Sequence, residues 1–287
     1  MHDETSGTSG GFTEKAHLKA YAYSDSQRLA DRAAIYVHMK ISSIDLGPYP
    51  FRADGIAGFV STWLDPSMNG AALDIGCGNG KYLPLLASQC TPTIGADLSI
   101  GMLGDVPRGL WHTFAADVES LPFADDAFSV VMANHMLYHA PDVAQACAEL
   151  RRVIRPGGVL LATTNGNGNL QETYNLLAKA ATAVRGTVTS VLEPADLRFT
   201  LESGSEALSA EFADVQIHRT TGALVIDTPT ALDALRAYYR SVDDEWSARY
   251  KLDWPTLEAA LDQVLNAEFD STGEIRINTA GGLLVAS

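Results

Sequence analysis

The apolar run Ala71-Ala72-Leu73-Asp74-Ile75 empties into the turn Gly76-Cys77-Gly78-Asn79-Gly80, and this junction restricts the fold more than any other stretch of the chain. Glycine accepts positive φ and lets main chain approach another group closely. A strand that ends in alternate glycines is therefore suited to presenting backbone to a ligand. Further apolar runs follow at Thr93-Ile94-Gly95-Ala96-Asp97, at residues 111–116, at Phe128-Ser129-Val130-Val131-Met132-Ala133-Asn134 and at Val159-Leu160-Leu161-Ala162-Thr163-Thr164. Strands apolar on both faces belong to a sheet covered on both sides. Helical stretches separate them at residues 80–89 and from the capping residue Asp142 to about residue 154, where Pro156-Gly157-Gly158 closes the helix. Such alternation implies an α/β fold with a parallel sheet and right-handed crossovers. Ligands bind at the carboxyl ends of such strands, and Asp74, Asp97, Asp117 and Asn134 all fall there.

Spacing narrows the ligand. A dinucleotide fingerprint needs GxGxxG. Counted from Gly76 its last position is Lys81, and counted from Gly78 it is Leu83, so both fail. No GxxxxGK[ST] phosphate loop is present either. What fits is DxGxGxG, carried by Asp74, Gly76, Gly78 and Gly80. A carboxylate at the strand end suits a pyrophosphate poorly and suits a ligand with an ammonium and a sulfonium group well. Asp97, ending the second strand, can accept hydrogen bonds from ribose hydroxyls. Asp117, followed by Val118, can accept one from an adenine amino group.

These residues resemble the class I S-adenosylmethionine-dependent methyltransferases, above all the small-molecule group similar to the ubiquinone- and menaquinone-biosynthesis enzymes. The likeness runs through residues 73–80, 95–102, 116–123, 126–134 with 137–139, and 150–158. It implies a Rossmann-like, seven-stranded, mostly parallel sheet with an antiparallel C-terminal hairpin, N-terminal helices and a helical cap. It also implies S-adenosyl-L-methionine as cofactor. Asp74 would order the loop and face the methionine amine, and Gly76, Cys77, Gly78 and Gly80 would pack on the methionine and ribose. Asp97 would bind ribose, Leu98 and Met102 would line the adenine, Asp117 and Val118 would read its edge, and Asn134 would offer its backbone. In similar enzymes an N-terminal lid covers the site, and Arg32 is the candidate there for the methionine carboxylate. His135 and His139, just past the fourth strand, are the catalytic candidates for deprotonating an acceptor. Each also has a plain structural reading as a packing or capping residue.

The remaining chain divides into a Gly/Ser/Thr-rich tail at 1–14, a helical lid at 15–66, the cofactor half at 67–164, a helical cap at 165–212 and the rest of the sheet at 213–287. Helical spacing predicts helices from about residue 18 to 39, at 53–64, 171–185, 203–212, 229–241 and 255–268, with a turn at Gly47-Pro48-Tyr49-Pro50. Val215-Gln216-Ile217-His218 reads as a strand. Ile275-Arg276-Ile277-Asn278, Gly281-Gly282 and Leu283-Leu284-Val285-Ala286 read as a hairpin. Tyr174, Phe199, Tyr238 and Tyr239 are candidate walls of the acceptor site, with core packing as the plain alternative. Tyr21, Tyr23 and Arg28 are further lid candidates.

The net charge of -15 disfavours a nucleic-acid partner, because such binding neutralises phosphates with Lys and Arg. Arg151, Arg152 and Arg155 form the one dense basic cluster of the sequence, and its plain reading is a solvated helix end. No apolar run is long enough for a membrane helix, and no secretory signal is visible. The cysteines, Cys77, Cys90 and Cys147, show no CxxC pair. No metal site is expected, and a reducing, cytoplasmic setting is. The expected function is methylation of a small molecule at oxygen or nitrogen in specialised metabolism. The alternatives are a peptide or protein methyltransferase, and a cofactor-binding protein without methyl transfer.

Overall fold

The computed structural model describes Lys15 and residues 26–44, 70–191 and 198–287. The expected tail, the turn at Gly47-Pro48-Tyr49-Pro50, the helix at 53–64, Tyr21 and Tyr23 lie outside the described residues.

An eight-stranded sheet organises the chain. In chain order the strands are β1 (Met39–Ile44), β2 (Ala72–Ile75), β3 (Thr93–Asp97), β4 (His112–Ala115), β5 (Phe128–Asn134), β6 (Ile154–Asn165), β7 (Val215–Ile226) and β8 (Ile275–Ala286). Their spatial order is β1-β7-β8-β6-β5-β2-β3-β4. Strands β2 to β6 pair in parallel, while β8 is antiparallel to both β6 and β7, and β1 is antiparallel to β7. From β2 the chain runs outward through β3 and β4, then returns to β5 on the other side. The switch point therefore lies between β2 and β5, and sheets of this kind bind ligands at the strand ends beside it.

Side-chain alternation assigns the two faces. Leu73, Ile75, Val131, Ala133, Leu160, Ala162 and Leu284 join one core with α4 (Val143–Val153) and α6 (Leu201–Ser209). Ala72, Val130, Met132, Leu161, Leu283 and Val285 join the opposite core, where Leu86 of α2 (Leu83–Ala87) packs. Each such fully buried aliphatic side chain stabilises the fold by roughly 1.5–3 kcal/mol. Asp142 caps α4, its carboxylate accepting the Gln145 N–H at 3.0 Å. A short helix, α3 (Ile100–Gly104), follows β3, capped by Ser99.

A third core lies against the far ends of β7 and β8. Leu224, Ile226, Ile275 and Ile277 pack there with α5 (Gln171–Arg185), α7 (Pro229–Arg240), α8 (Asp243–Tyr250) and α9 (Trp254–Thr272). Ile35 joins them just after α1 (Ser26–Ala34).

Several local expectations change. The sheet has eight strands, because Met39–Ile44 adds to the edge of β7 in place of a helix end. Ile275–Ala286 is one continuous strand and no local hairpin. Gly282 is glycine because an added Cβ would stand 2.0 Å from the His218 carbonyl oxygen of β7, a close backbone approach and no turn. The C-terminal antiparallel pair is β7 with β8, joined through three helices. Strand β6 begins earlier than its apolar run: Phe128 pairs with Ile154 and Val130 with Val159, so residues 155–158 bulge out. Helix α8 was not expected.

Candidate active site

The glycine loop is tied to its neighbours before any ligand is considered. The N–H groups of Gly76 and Cys77 both donate to the Ala96 carbonyl of β3, at 2.7 and 3.0 Å. Gly76, Gly78 and Gly80 take φ of +70°, +56° and +78°, the left-handed region that glycine enters without penalty. An added Cβ on Gly76 would lie 2.6 Å from Met136 Cγ, in the segment after β5. The loop after β2 and the loop after β5 thus close on each other at the switch point.

Asp74 is buried beneath this loop, and neither carboxylate oxygen has a hydrogen-bond partner among the described residues. Burial, reinforced by the charge of Asp97, pushes its carboxyl up to about 8. Asp97 ends β3, where its Oδ2 accepts the Gly78 N–H and its Oδ1 the Ser99 N–H, both at 2.8 Å. Burial raises the Asp97 carboxyl too, and these backbone donors oppose the rise. Its two oxygens are therefore partly engaged by the protein itself, and any ribose hydroxyls would share them. Cys77 is buried, and desolvation drives its thiol well above the usual range, consistent with an inert loop side chain.

Met102 of α3 is buried, with its methyl group 3.2 Å from the Cβ position of Gly78. Val118 is buried and Leu98 half-buried. Asp117 lies just beyond β4. Its Oδ1 accepts the Glu119 N–H at 3.1 Å, and its Oδ2 accepts from Lys15 Nζ at 2.6 Å. Lys15 also pairs with Glu119, so the N-terminal region reaches the expected adenine end of the site.

Asn134 ends β5, where its Oδ1 accepts from the Thr163 hydroxyl at 3.1 Å and its buried Nδ2 is left without a partner. His135 takes φ +50°, and its N–H donates to the Thr163 carbonyl at 2.9 Å. Non-glycine residues held there mark strain that clusters at functional sites. Burial, with the Lys81 charge, pulls the His135 imidazole down to about 4, so it is neutral at physiological pH. His139 lies in the turn Leu137–His139, its ring packed on Tyr138 with centroids 4.5 Å apart.

The other expected residues have their own surroundings. Arg32 of α1 acts electrostatically on Tyr36, Tyr238 and Glu245. Arg28 bonds the Asp243 carboxylate at 3.2 Å. Phe199 is a core residue, packed where a side chain on Gly204 would stand. Tyr239 is buried and donates to the Thr173 carbonyl at 3.1 Å.

Four residues near the cleft have no part in the sequence motif. Leu29 of α1 lies 3.6 Å from the Cβ position of Gly78, which brings the N-terminal helix onto the loop. The Asp74 charge helps raise the Tyr82 hydroxyl to about 12, and Lys81 lies over the Tyr82 ring, 5.5 Å from its centroid. Lys81 and Tyr82 directly follow Gly80, so adjacency could have flagged them. Leu29 and Thr163 carry no local signal.

The sheet order, the switch point and the glycine loop are those of a class I methyltransferase domain. Residues 73–162 match the family model described as a methyltransferase domain. The chain is similar to a malonyl-[acyl-carrier protein] O-methyltransferase of Pseudescherichia vulneris, 35% identical over 106 residues, or 36% of this chain and 42% of that one. It is similar to methyltransferase GfsG of Streptomyces halstedii, 39% identical over 107 residues, 34% of this chain and 38% of that one. The match thus spans about two fifths of the length of these relatives. Among solved structures, the YcgJ protein of Bacillus subtilis shares the fold with a TM-score of 0.51 at 18% identity, over 80% of this chain and 96% of that one. No helix among the described residues is long and apolar enough to cross a membrane.

Proposed function

We propose that the chain is an S-adenosylmethionine-dependent methyltransferase that methylates a small molecule at oxygen or nitrogen in specialised metabolism. The carrying observation is Asp74, a buried carboxylate without a partner beneath three positive-φ glycines. A buried charge is costly unless paired. Burial holds Asp74 protonated up to about pH 8, and an ammonium group beside it would restore and pair its charge, so Asp74 with Asp97 favours a cationic ligand over a phosphate. The residues present therefore fit the cofactor.

When bound, the cofactor supplies a methyl group on a sulfonium, already a good leaving group. The chain's own work is alignment, which can be worth roughly 7–11 kcal/mol. Asp74 holds the amino-acid ammonium, directly or through water. Asp97 accepts from ribose, while Leu98, Met102 and Val118 pack on the adenine and Asp117 accepts from its amino group. Asn134 offers backbone to the methionine part, and Arg32 of α1 is assigned to its carboxylate. His135 and His139 face the acceptor. A neutral His135 can accept a hydrogen bond from an acceptor hydroxyl, but its lowered basicity limits how firmly it holds a proton. The O-methyltransferase relatives support oxygen as the acceptor atom. Three unbridged, buried thiols are in keeping with action in the cytoplasm.

Calorimetric titration with S-adenosylhomocysteine, followed by transfer of labelled methyl to hydroxylated compounds, amines and peptides, tests this reading. Transfer to small compounds is expected. Transfer to peptides alone, binding without transfer, or no binding at millimolar concentration would each overturn it.

A further inference from the structure

The third core holds a polar group that packing alone does not explain. Glu245 of α8 has a side chain only 10% exposed. Its Oε1 accepts from Arg249 Nε at 2.7 Å, while its buried Oε2 has no partner among the described residues. On the next residue, the buried Trp246 Nε1 also has none among them. A buried polar atom left unpaired costs about 1–3 kcal/mol, so two on adjacent residues point to a missing bonding partner.

The surroundings are aromatic. Tyr174 and Trp246 meet edge to face with centroids 5.3 Å apart, and Tyr238 packs on Tyr239 at 5.7 Å. Glu245, Arg249, Tyr36 and Tyr250 all act electrostatically on the Tyr174 hydroxyl, and Tyr36 and Arg32 act on that of Tyr238. Polar ends from α1, α5, α7 and α8 therefore converge within an apolar shell, the arrangement typical of small-molecule sites. Tyr36 is 39% exposed although its hydroxyl is desolvated, which gives the cluster an edge at the surface.

The cluster adjoins the glycine loop through α1. Leu29 touches the Gly78 position, and Arg32, one turn along the same helix, acts on Glu245. Arg28 fastens α1 to α8 through Asp243. One helical turn rises about 5.4 Å, so the aromatic cluster and the glycine loop are neighbours.

We infer that Glu245 is the hydrogen-bonding anchor of the methyl acceptor, and that the acceptor is a planar aromatic compound carrying a free hydroxyl. This rests on the methyltransferase reading only in calling the ligand an acceptor. Arg32 and Arg249 repel a cationic amine. A lone carboxylate oxygen takes a neutral hydroxyl donor, and Trp246 and Tyr174 take a flat ring.

Calorimetric titration of the full chain at about pH 8 with 4-methylphenol and with 4-methylanisole tests the anchor. The phenol keeps its hydroxyl proton up to about pH 10, as tyrosine does, and the anisole lacks it. The native chain should bind the phenol about tenfold or more tighter, as a hydrogen bond to a charged group implies. Glu245→Gln should cut that preference severalfold while keeping the affinity for the anisole and for S-adenosylhomocysteine. Equal binding of the two probes by the native chain, or a preference that survives Glu245→Gln undiminished, would overturn the inference. The first comparison needs no variant, so a misfolded Glu245→Gln would still leave it decided. Failure of the native chain to bind S-adenosylhomocysteine would overturn the methyltransferase reading instead, and the phenol comparison would stand by itself.

Discussion

Asp97 Oδ2 accepts the Gly78 N–H at 2.8 Å, so the end of β3 holds the middle glycine of the loop that leaves β2. The same carboxylate also accepts the Ser99 N–H at the start of α3. One side chain therefore sets both the loop and the helix that flank the proposed ribose position. Asp97→Ala leaves two backbone donors unpaired and should lower stability by about 1–3 kcal/mol in urea unfolding. Its S-adenosylhomocysteine affinity should fall at least tenfold, on the order expected for one lost charge-assisted bond. Unchanged affinity in a folded Asp97→Ala protein would remove Asp97 from the site.

Asp74 makes stability depend on pH with a definite sign. Its carboxyl rises from 3.8 to about 8 on folding. Between those values the folded chain keeps a proton that the unfolded chain gives up, so stability is full below 3.8 and is lost as pH rises toward 8. Glu245, raised to about 7, adds in the same direction. Asp74→Asn should flatten this slope, raise the Tm of the ligand-free protein at alkaline pH and weaken S-adenosylhomocysteine binding. A native Tm that climbs steadily from acid to alkaline pH would contradict the assignment.

Gly76 and Gly157 separate conformational cost from crowding. Both have positive φ, but a side chain on Gly157 meets nothing within 4 Å, while one on Gly76 meets Met136 at 2.6 Å. Gly157→Ala should cost about 1–2 kcal/mol from backbone strain. Gly76→Ala should cost more, and adding Met136→Ala should recover only the excess. Equal costs at both positions would mean that Met136 yields freely.

His135 carries a backbone role and a proposed side-chain role, and two substitutions distinguish them. At φ +50° a glycine relieves strain, worth on the order of 1 kcal/mol. If the imidazole positions the acceptor, His135→Gly and His135→Ala should slow single-turnover transfer alike, by about 10²-fold. If the residue only shapes the turn, the glycine variant should keep the native rate. His139→Ala in the same assay tests the second histidine, and native chemical rates in both alanine variants would dismiss the pair.

Local sequence was informative where one short stretch carries its own physical constraint. The spacing of Asp74, Gly76, Gly78 and Gly80 excludes other loops because positive φ demands glycine at set positions. Continuous apolar runs identified β2, β3, β5 and most of β6 because strands covered on both faces have no polar alternation. The same reasoning failed at Gly281-Gly282, since a glycine pair reads as a turn whether it supplies one or merely lets two strands approach. It missed Met39–Ile44, a short and partly polar segment that becomes a strand because the long edge of β7 is there to pair with it.

By itself, then, the sequence determined the cofactor half, its loop and the carboxylates at its strand ends, because those depend on neighbours a few residues apart. Only the tertiary structure decided that Asp74 has no partner among the described residues, that Lys15 reaches Asp117, that α1 lies over Gly78 and that Glu245 is buried beside the core of Tyr174 and Trp246. Each of these depends on burial and on groups far apart in the chain. Desolvation and long-range charge have no local pattern, so these features became legible only once the helices were packed.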